Sequence, residues 1–218
     1  MTDYAQARKT MVDNQLRTSG ITDRRLLAAM GEVPREEFVP AEHRTLAFSD
    51  LEIPLGHGEC MWQPKLEARV LQELSIRKTD RVLEVGTGSG YLTALLAHRG
   101  AEVHSVEIDA ALAETGRRNL ERHGADNIVL ETGDAARGWP QRAPYDAIVL
   151  TGSTPVLPAA FLEQLAPGGR LFAVVGEAPA MTARLVVRGE LGGQRANDLF
   201  ETVIRPLVNA ERPSRFKF

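Results

Sequence analysis

Val82-Leu83-Glu84-Val85-Gly86-Thr87-Gly88-Ser89-Gly90-Tyr91 is the stretch on which the fold turns. Arg81 to Val85 is a short apolar run that reads as a buried strand. Three glycines alternating with small residues come next, and a helical pattern then runs from Tyr91 to His98, with Leu92, Leu95 and Leu96 inward and Gly100 at its end. Strand, glycine loop and helix in that order make the context of a nucleotide site. Ligands of open α/β sheets lie beyond the carboxyl ends of strands, glycine lets the backbone come close to them, and the free N–H groups opening a helix favour an anionic group.

Spacing narrows the ligand. A dinucleotide fingerprint, G-x-G-x-x-G, needs glycine where this chain has Tyr91; here the third glycine is Gly90. A bulky side chain there disfavours a pyrophosphate and suits a ligand with an amino-acid end and a nucleoside end. Glu107 closes the next strand, about twenty residues on, where a carboxylate accepts from both ribose hydroxyls. Asp134, in Gly133-Asp134-Ala135, comes after the third strand, placed to accept from an adenine amine. Glu84 faces two readings, as acceptor for the ligand's ammonium or as a cap for a nearby backbone N–H. Gly86, Thr87, Gly88, Gly90, Ile108 and Ala135 complete the candidate cofactor-binding set.

Beyond the loop the alternation continues. Glu102 to Ile108, Asn127 to Glu131, Ala147 to Leu150 and Arg170 to Val175 read as strands, the last introduced by Pro167-Gly168-Gly169. Ala110 to His123, closed by Gly124, and Pro158 to Leu165 read as helices. Such alternation implies βαβ units: an α/β, three-layer, Rossmann-like doubly wound sheet with helices on both faces. Thr182 to Arg188 and Glu201 to Val208 are strand-like, with Gly189, Gly192 and Gly193 between them, so the mostly parallel sheet is expected to end in an antiparallel hairpin. Upstream, two short helices are expected, one around Met11 and Leu16 and one capped by Thr22 and ended by Pro34. Glu36 to Gln63 reads as an irregular segment, the kind that covers a site, before Pro64 opens a helix bearing Leu66, Val70, Leu71 and Leu74. The reading is one domain over 1–218: N-terminal helices and active-site cover at 1–63, the Rossmann-like core at 64–208, and a loose polar tail at 209–218.

Composition bounds the rest. The chain's 218 residues are 43% hydrophobic and 25% charged, with net charge −3 and no basic stripe, so no nucleic-acid partner is expected. Arg117, Arg118 and Arg122 read as a solvated helix face. Cys60, the single cysteine, rules out an intramolecular disulfide and a multi-thiolate zinc site. Neither an export segment nor a membrane span is recognisable, and the expectation is a cytoplasmic protein without a membrane partner. No metal cluster is suggested.

These residues carry a likeness. The set resembles class I S-adenosylmethionine-dependent methyltransferases, and the whole chain resembles the protein-L-isoaspartate O-methyltransferases. The likeness runs through Met11-Val12, Gly20-Ile21, Val33-Pro34-Arg35-Glu36-Glu37-Phe38-Val39-Pro40 and Ile53-Pro54-Leu55-Gly56-His57-Gly58. It continues through the glycine loop, Gly138-Trp139, Ala143-Pro144-Tyr145-Asp146, Gln164-Leu165 and Arg205-Pro206-Leu207. It implies S-adenosyl-L-methionine as cofactor, and as partner a damaged protein or peptide whose isoaspartyl α-carboxylate is methylated. The chain departs from the family where Gln-Thr-Ile-Ser-x-Pro becomes Glu59-Cys60-Met61-Trp62-Gln63-Pro64. The family serine, which attends the acceptor, falls on Trp62 and the threonine on Cys60, so these two stand as the candidate catalytic positions. The small residues after the fourth strand also change, to Thr151-Gly152-Ser153-Thr154. An indole donates only from its ring N–H, and Glu59 adds a negative charge that repels a carboxylate. Two alternatives remain: a different, more apolar or aromatic small-molecule acceptor stacked on Trp62, or a non-catalytic S-adenosylmethionine-binding module. Cys60 has no evident activating base and reads as a buried small residue. His57 reads as a loop histidine capping backbone.

Overall fold

Arg81–Val85, buried from Val82 onward, is the central strand of a seven-stranded sheet. The computed structural model describes residues 3–213. Two short strands, β1 (Ile53–Gly56) and β2 (Glu59–Met61), pair antiparallel ahead of it. The sheet itself comprises β3 (Arg81–Val85), β4 (Glu102–Glu107), β5 (Ile128–Thr132), β6 (Tyr145–Leu150), β7 (Leu165–Glu177), β8 (Ala180–Arg188) and β9 (Gln194–Glu201). Its order is β5-β4-β3-β6-β7-β8-β9. The strands from β5 to β7 in that order run parallel, while β7–β8 and β8–β9 are antiparallel. The chain steps outward from β3 through β4 to β5, then crosses to the other side of β3 for β6. That reversal opens a crevice beyond the carboxyl ends of β3 and β6.

Successive strand residues point to opposite faces, and the sheet thereby divides two cores. Val82, Ala147, Val149, Phe172 and Val174 belong to one, and Leu83, Ile148, Leu150, Leu171 and Ala173 to the other. The first core is roofed by α1 (Tyr4–Met11), α2 (Arg24–Glu32), α3 (Pro64–Leu74), α4 (Tyr91–Arg99) and α5 (Ala110–His123), the last reaching it through Leu120. Over the second lies α6 (Ala159–Glu163), whose Phe161 is fully buried, with the irregular stretch around Ala135 and Trp139. The Rossmann-like, doubly wound expectation holds, with unequal outer layers.

Local chemistry sets the helix ends. Pro64 occupies the first turn of α3, where a missing N–H costs nothing, and Leu66, Val70, Leu71 and Leu74 are buried as their spacing predicts. Asp109 caps α5 by accepting from Ala111 N (2.8 Å) and Leu112 N (3.0 Å), and Gly124 ends it in the left-handed region. The cap of α2 is Asp23, not Thr22: its carboxylate accepts from Arg25 N and Leu26 N, and Gln72 on α3 accepts from the backbone N–H of both Thr22 and Asp23. Four further readings shift. Pro158 to Leu165 shortens to α6, because Leu165 already pairs with Tyr145. The final strand is Gln194–Glu201 rather than Glu201 to Val208; past Glu201 the chain leaves β8 and pairs as a single bridge, Pro206 with Ser153. The segment Glu36 to Gln63 contains the β1–β2 hairpin and two 3-10 turns. The tail is not loose at its start, since Asn209 Nδ2 donates to Asp134 Oδ2 at 2.9 Å; residues 214–218 lie outside the described residues.

One buried side chain ties the N-terminal segment to the core. The fully buried Arg35 donates from Nε to Ala47 O (2.7 Å), from Nη2 to Trp62 O (2.5 Å), and from Nη1 to Glu67 on α3, while its guanidinium stacks 4.7 Å over the Tyr91 ring at the start of α4. Removing one partner of such a pair strands a buried charge and costs ~3–5 kcal/mol, whereas replacing both with apolar groups of similar volume costs far less. Urea unfolding is therefore expected to show Arg35→Met destabilised by about that amount, and Arg35→Met combined with Glu67→Leu recovering most of the loss.

Candidate active site

The connections leaving β3, β4, β5 and β6 converge at the crevice. With the β1–β2 hairpin and residues 205–208 above them they line a cavity of about 360 Å³. The glycine loop is its floor. Gly86 has a φ of +99°, and a Cβ there would stand 2.1 Å from Thr151 Oγ1, a hydroxyl that donates to Val85 O at 2.7 Å. Both the dihedral and the contact demand glycine. In the loop the Gly88 N–H donates to Glu107 and the Gly90 N–H to Thr87 O. Among the described residues, the N–H groups of Thr87 and Ser89 have no protein acceptor, so two donors remain for an anionic ligand group.

Glu107 is buried at the end of β4 and accepts from Gly88 N (2.9 Å) through Oε2 and from Asp109 N (3.1 Å) through Oε1. Each oxygen keeps lone-pair capacity for ligand hydroxyls. Asp134 stands exposed on the rim, accepting from Ala136 N (3.0 Å) and Asn209. Ala135 is buried beneath it. Ile108 and Val208, 37% and 51% exposed, present apolar surface on the same cavity, suited to a flat ring.

Glu84 lies lowest, fully buried. Its Oε2 accepts from Thr93 Oγ1 (2.5 Å) and Ser105 Oγ (2.6 Å), and Ser105 in turn meets Thr87 Oγ1 at 2.6 Å. Among the described residues it caps no backbone N–H, and its Oε1 is buried without a partner. Burial pushes the Glu84 carboxyl up to about 8, against the pull of the two hydroxyls. A cationic group reaching Oε1 would reverse that penalty.

The cover supplies the opposite wall. Trp62 is 7% exposed, lines the cavity, and makes no hydrogen bond from its ring N–H among the described residues; Arg35 holds its carbonyl. Cys60 is half-buried rather than buried, and burial raises its thiol to about 11, so it stays protonated near neutrality and is no nucleophile. His57 caps no backbone: Nδ1 lies 2.9 Å from Asp109 Oδ2, which latches the hairpin to the start of α5.

Of the candidate cofactor residues, Glu84, Gly86, Thr87, Gly88, Glu107, Ile108, Asp134 and Ala135 are thus brought to one cavity, as are Cys60 and Trp62. Gly90 is set back from it; a Cβ there would meet Leu120 Cγ at 3.0 Å, so its smallness serves helix packing. Sequence reasoning missed Arg205, Leu207 and Val208 as lining residues. Arg205-Pro206-Leu207 was visible as a likeness, but no local pattern says that this segment returns to Ser153. Among the described residues no group of His, Cys, Asp and Glu is placed to hold a metal ion, and no helix is long and apolar enough to cross a membrane.

Residues 6–212 match the family model for protein-L-isoaspartate(D-aspartate) O-methyltransferase. A protein-L-isoaspartate O-methyltransferase of Methanoculleus marisnigri is 47% identical over 78% of this chain and 77% of its own. One of Rhodopseudomonas palustris is 41% identical over 96% and 86%. A solved protein-L-isoaspartate O-methyltransferase superposes with a TM-score of 0.80 at 28% identity, covering 91% of this chain and 65% of that one. A Plasmodium falciparum structure determined with S-adenosyl-L-homocysteine shares the fold at 22% identity and a TM-score of 0.80, covering 92% of this chain and 98% of that one.

The raised Glu84 carboxyl has a signature in the ligand-free protein. Between the unperturbed value of 4.5 and about 8, the folded state holds a proton that the unfolded state has lost, so this group's contribution to stability falls as pH rises through that window. Unfolding free energies measured from pH 5 to 8 are expected to decline less steeply in Glu84→Gln, by about 1 kcal/mol per pH unit.

Proposed function

Because the chain belongs to the protein-L-isoaspartate O-methyltransferase family and is an S-adenosylmethionine-dependent methyltransferase, we propose that its cavity aligns the cofactor's methyl group with the α-carboxylate of an isoaspartyl residue in a damaged protein or peptide. The observation that carries this reading is the coincidence of a family match over residues 6–212 with a cavity whose donors and acceptors suit each end of that cofactor.

The residues present fit the cofactor. The unpartnered Glu84 Oε1 would receive its ammonium group, and the free N–H groups of Thr87 and Ser89 its carboxylate. Gly86 and Gly88 leave the space, Glu107 would accept from the ribose hydroxyls, and Ile108, Asp134 and Ala135 would hold the adenine end. When bound, S-adenosylmethionine supplies a sulfonium methyl that is already activated. A carboxylate acceptor is already ionised, so the chain needs no general base; its work is alignment and exclusion of water. Trp62 and the β1–β2 hairpin form the wall that does the excluding, and the Cys60 thiol stays uncharged beside it. We place this activity in the cytoplasm, on protein or peptide partners rather than nucleic acid or membranes.

Incubation of the protein with S-adenosylmethionine and a matched pair of peptides, one isoaspartyl and one aspartyl, tests the assignment. Methyl esters that are lost under mild alkali are expected on the isoaspartyl peptide and not on its twin. Transfer to neither, by protein that binds S-adenosylhomocysteine, would sink the acceptor assignment.

A further inference from the structure

Acidic groups crowd the cavity. Glu59, Glu84, Glu107, Asp109 and Asp134 all line it, and an incoming carboxylate would meet repulsion from most of its walls. Among the described residues the lining holds one arginine and no lysine: Arg205. His57, the other basic side chain there, is already engaged by Asp109.

Arg205 is mounted rigidly at the backbone and left open at the side chain. Ser153, buried in the connection that leaves β6, donates from N to Arg205 O (2.8 Å) and accepts at O from Leu207 N (2.9 Å), and its hydroxyl donates to Ile204 O (3.3 Å). Gly152 makes this approach possible, since a Cβ there would lie 2.9 Å from Leu207 N. The Arg205 side chain itself is exposed to the cavity mouth and forms no ion pair among the described residues. Its neighbour Cys60 does not neutralise it, because the thiol is protonated at neutral pH, and Glu59 and Glu52 act on it through space without forming an ion pair among the described residues. The cofactor's own carboxylate has separate donors in the glycine loop.

We propose that Arg205 is the anchor for the acceptor's carboxylate, holding one of its oxygens by a charge-assisted hydrogen bond while the other faces the methyl group. The proposal rests on the carboxylate reading of the acceptor given above. It assigns to a planar guanidinium on the C-terminal segment a task that the Trp62 indole is chemically unable to share, since the indole carries no charge.

The test uses the full chain loaded with S-adenosylhomocysteine, with calorimetric titration of the isoaspartyl peptide and, separately, steady-state methylation. Arg205→Met, which keeps the apolar stem, is expected to weaken peptide binding and raise KM by roughly 10- to 100-fold, the loss of a charge-assisted hydrogen bond. Arg205→Lys should restore part of this. Affinity for S-adenosylhomocysteine and Tm should stay at their wild-type values in both variants. Unchanged peptide affinity in Arg205→Met overturns the proposal, and so does a parallel loss of S-adenosylhomocysteine affinity, which would put Arg205 on the cofactor. A wild-type chain that transfers nothing to the peptide overturns the isoaspartyl reading instead. Succinate titrated into the S-adenosylhomocysteine-loaded protein then decides the anchor: binding lost in Arg205→Met upholds it, and binding that is absent or indifferent to the variant overturns it.

Discussion

The buried guanidinium of Arg35 is the contact on which the arrangement of the site depends. In one plane it holds Ala47 O, Trp62 O and the Glu67 carboxylate, and its face covers the Tyr91 ring. Three separate pieces of chain meet there: the N-terminal cover, α3 and the first turn of the helix after the glycine loop. A charge this deep is tolerated only when it is paired and hydrogen-bonded, and each guanidinium nitrogen of Arg35 has an acceptor. The β1–β2 hairpin and Trp62 are therefore placed relative to the glycine loop by a polar contact, with the apolar core filling in around it. Arg170 repeats the device at the other end of α3, donating to Leu74 O, Ser75 O and Asp146 O and pairing with Asp80.

Upon that frame the sheet does the remaining work. Parallel strands bring their carboxyl ends to one edge, so Glu84, Glu107 and Asp134, far apart along the chain, face one cavity. Their environments then divide their roles. Glu107 is satisfied by two backbone N–H groups and shapes the loop as well as facing the cavity. Asp134 is solvated at the rim and tethered to Asn209. Glu84 is sealed beneath the loop with one oxygen unpaired, and burial, with the nearby Glu107 and Glu67 carboxyls adding to it, holds its proton against the pull of two hydroxyls. Identical chemistry at three strand ends sits in three different environments because burial differs.

Legibility in the sequence tracked the range of the forces involved. The strand at 81–85, the helix at 110–123 and the glycine loop could be read because their signals are local: a buried apolar run, an Asp cap with a left-handed glycine, a loop whose dihedrals admit only glycine. Readings failed where distant contacts outweigh local preference. Glu201 to Val208 alternates like a strand, yet it leaves the sheet after Glu201 because Ser153 captures the backbone on both sides of Pro206. Thr22 is a good cap by type, but Gln72 on α3 accepts from the backbone N–H of both Thr22 and Asp23, and that distant contact sets the helix entry so that the Asp23 carboxylate meets the free N–H groups. His57 pairs with Asp109, far along the chain, a contact no short window of sequence contains.

The order of the amino acids is enough to dictate the α/β alternation, the glycine loop and the acids at successive strand ends, since periodicity, capping and glycine dihedrals are properties of neighbouring residues. The likeness of the whole chain to one methyltransferase family was equally present in its letters. Folding had to settle which of the many charged residues face the cavity, that Glu84 keeps an unpaired oxygen there, and that Arg205 is, among the described residues, the lone guanidinium beside five acidic side chains. Those are facts of burial and of distance through space. An arginine on a tail and an arginine at the mouth of a cavity are the same residue until the chain folds back and sets one of them beside the groups that line it.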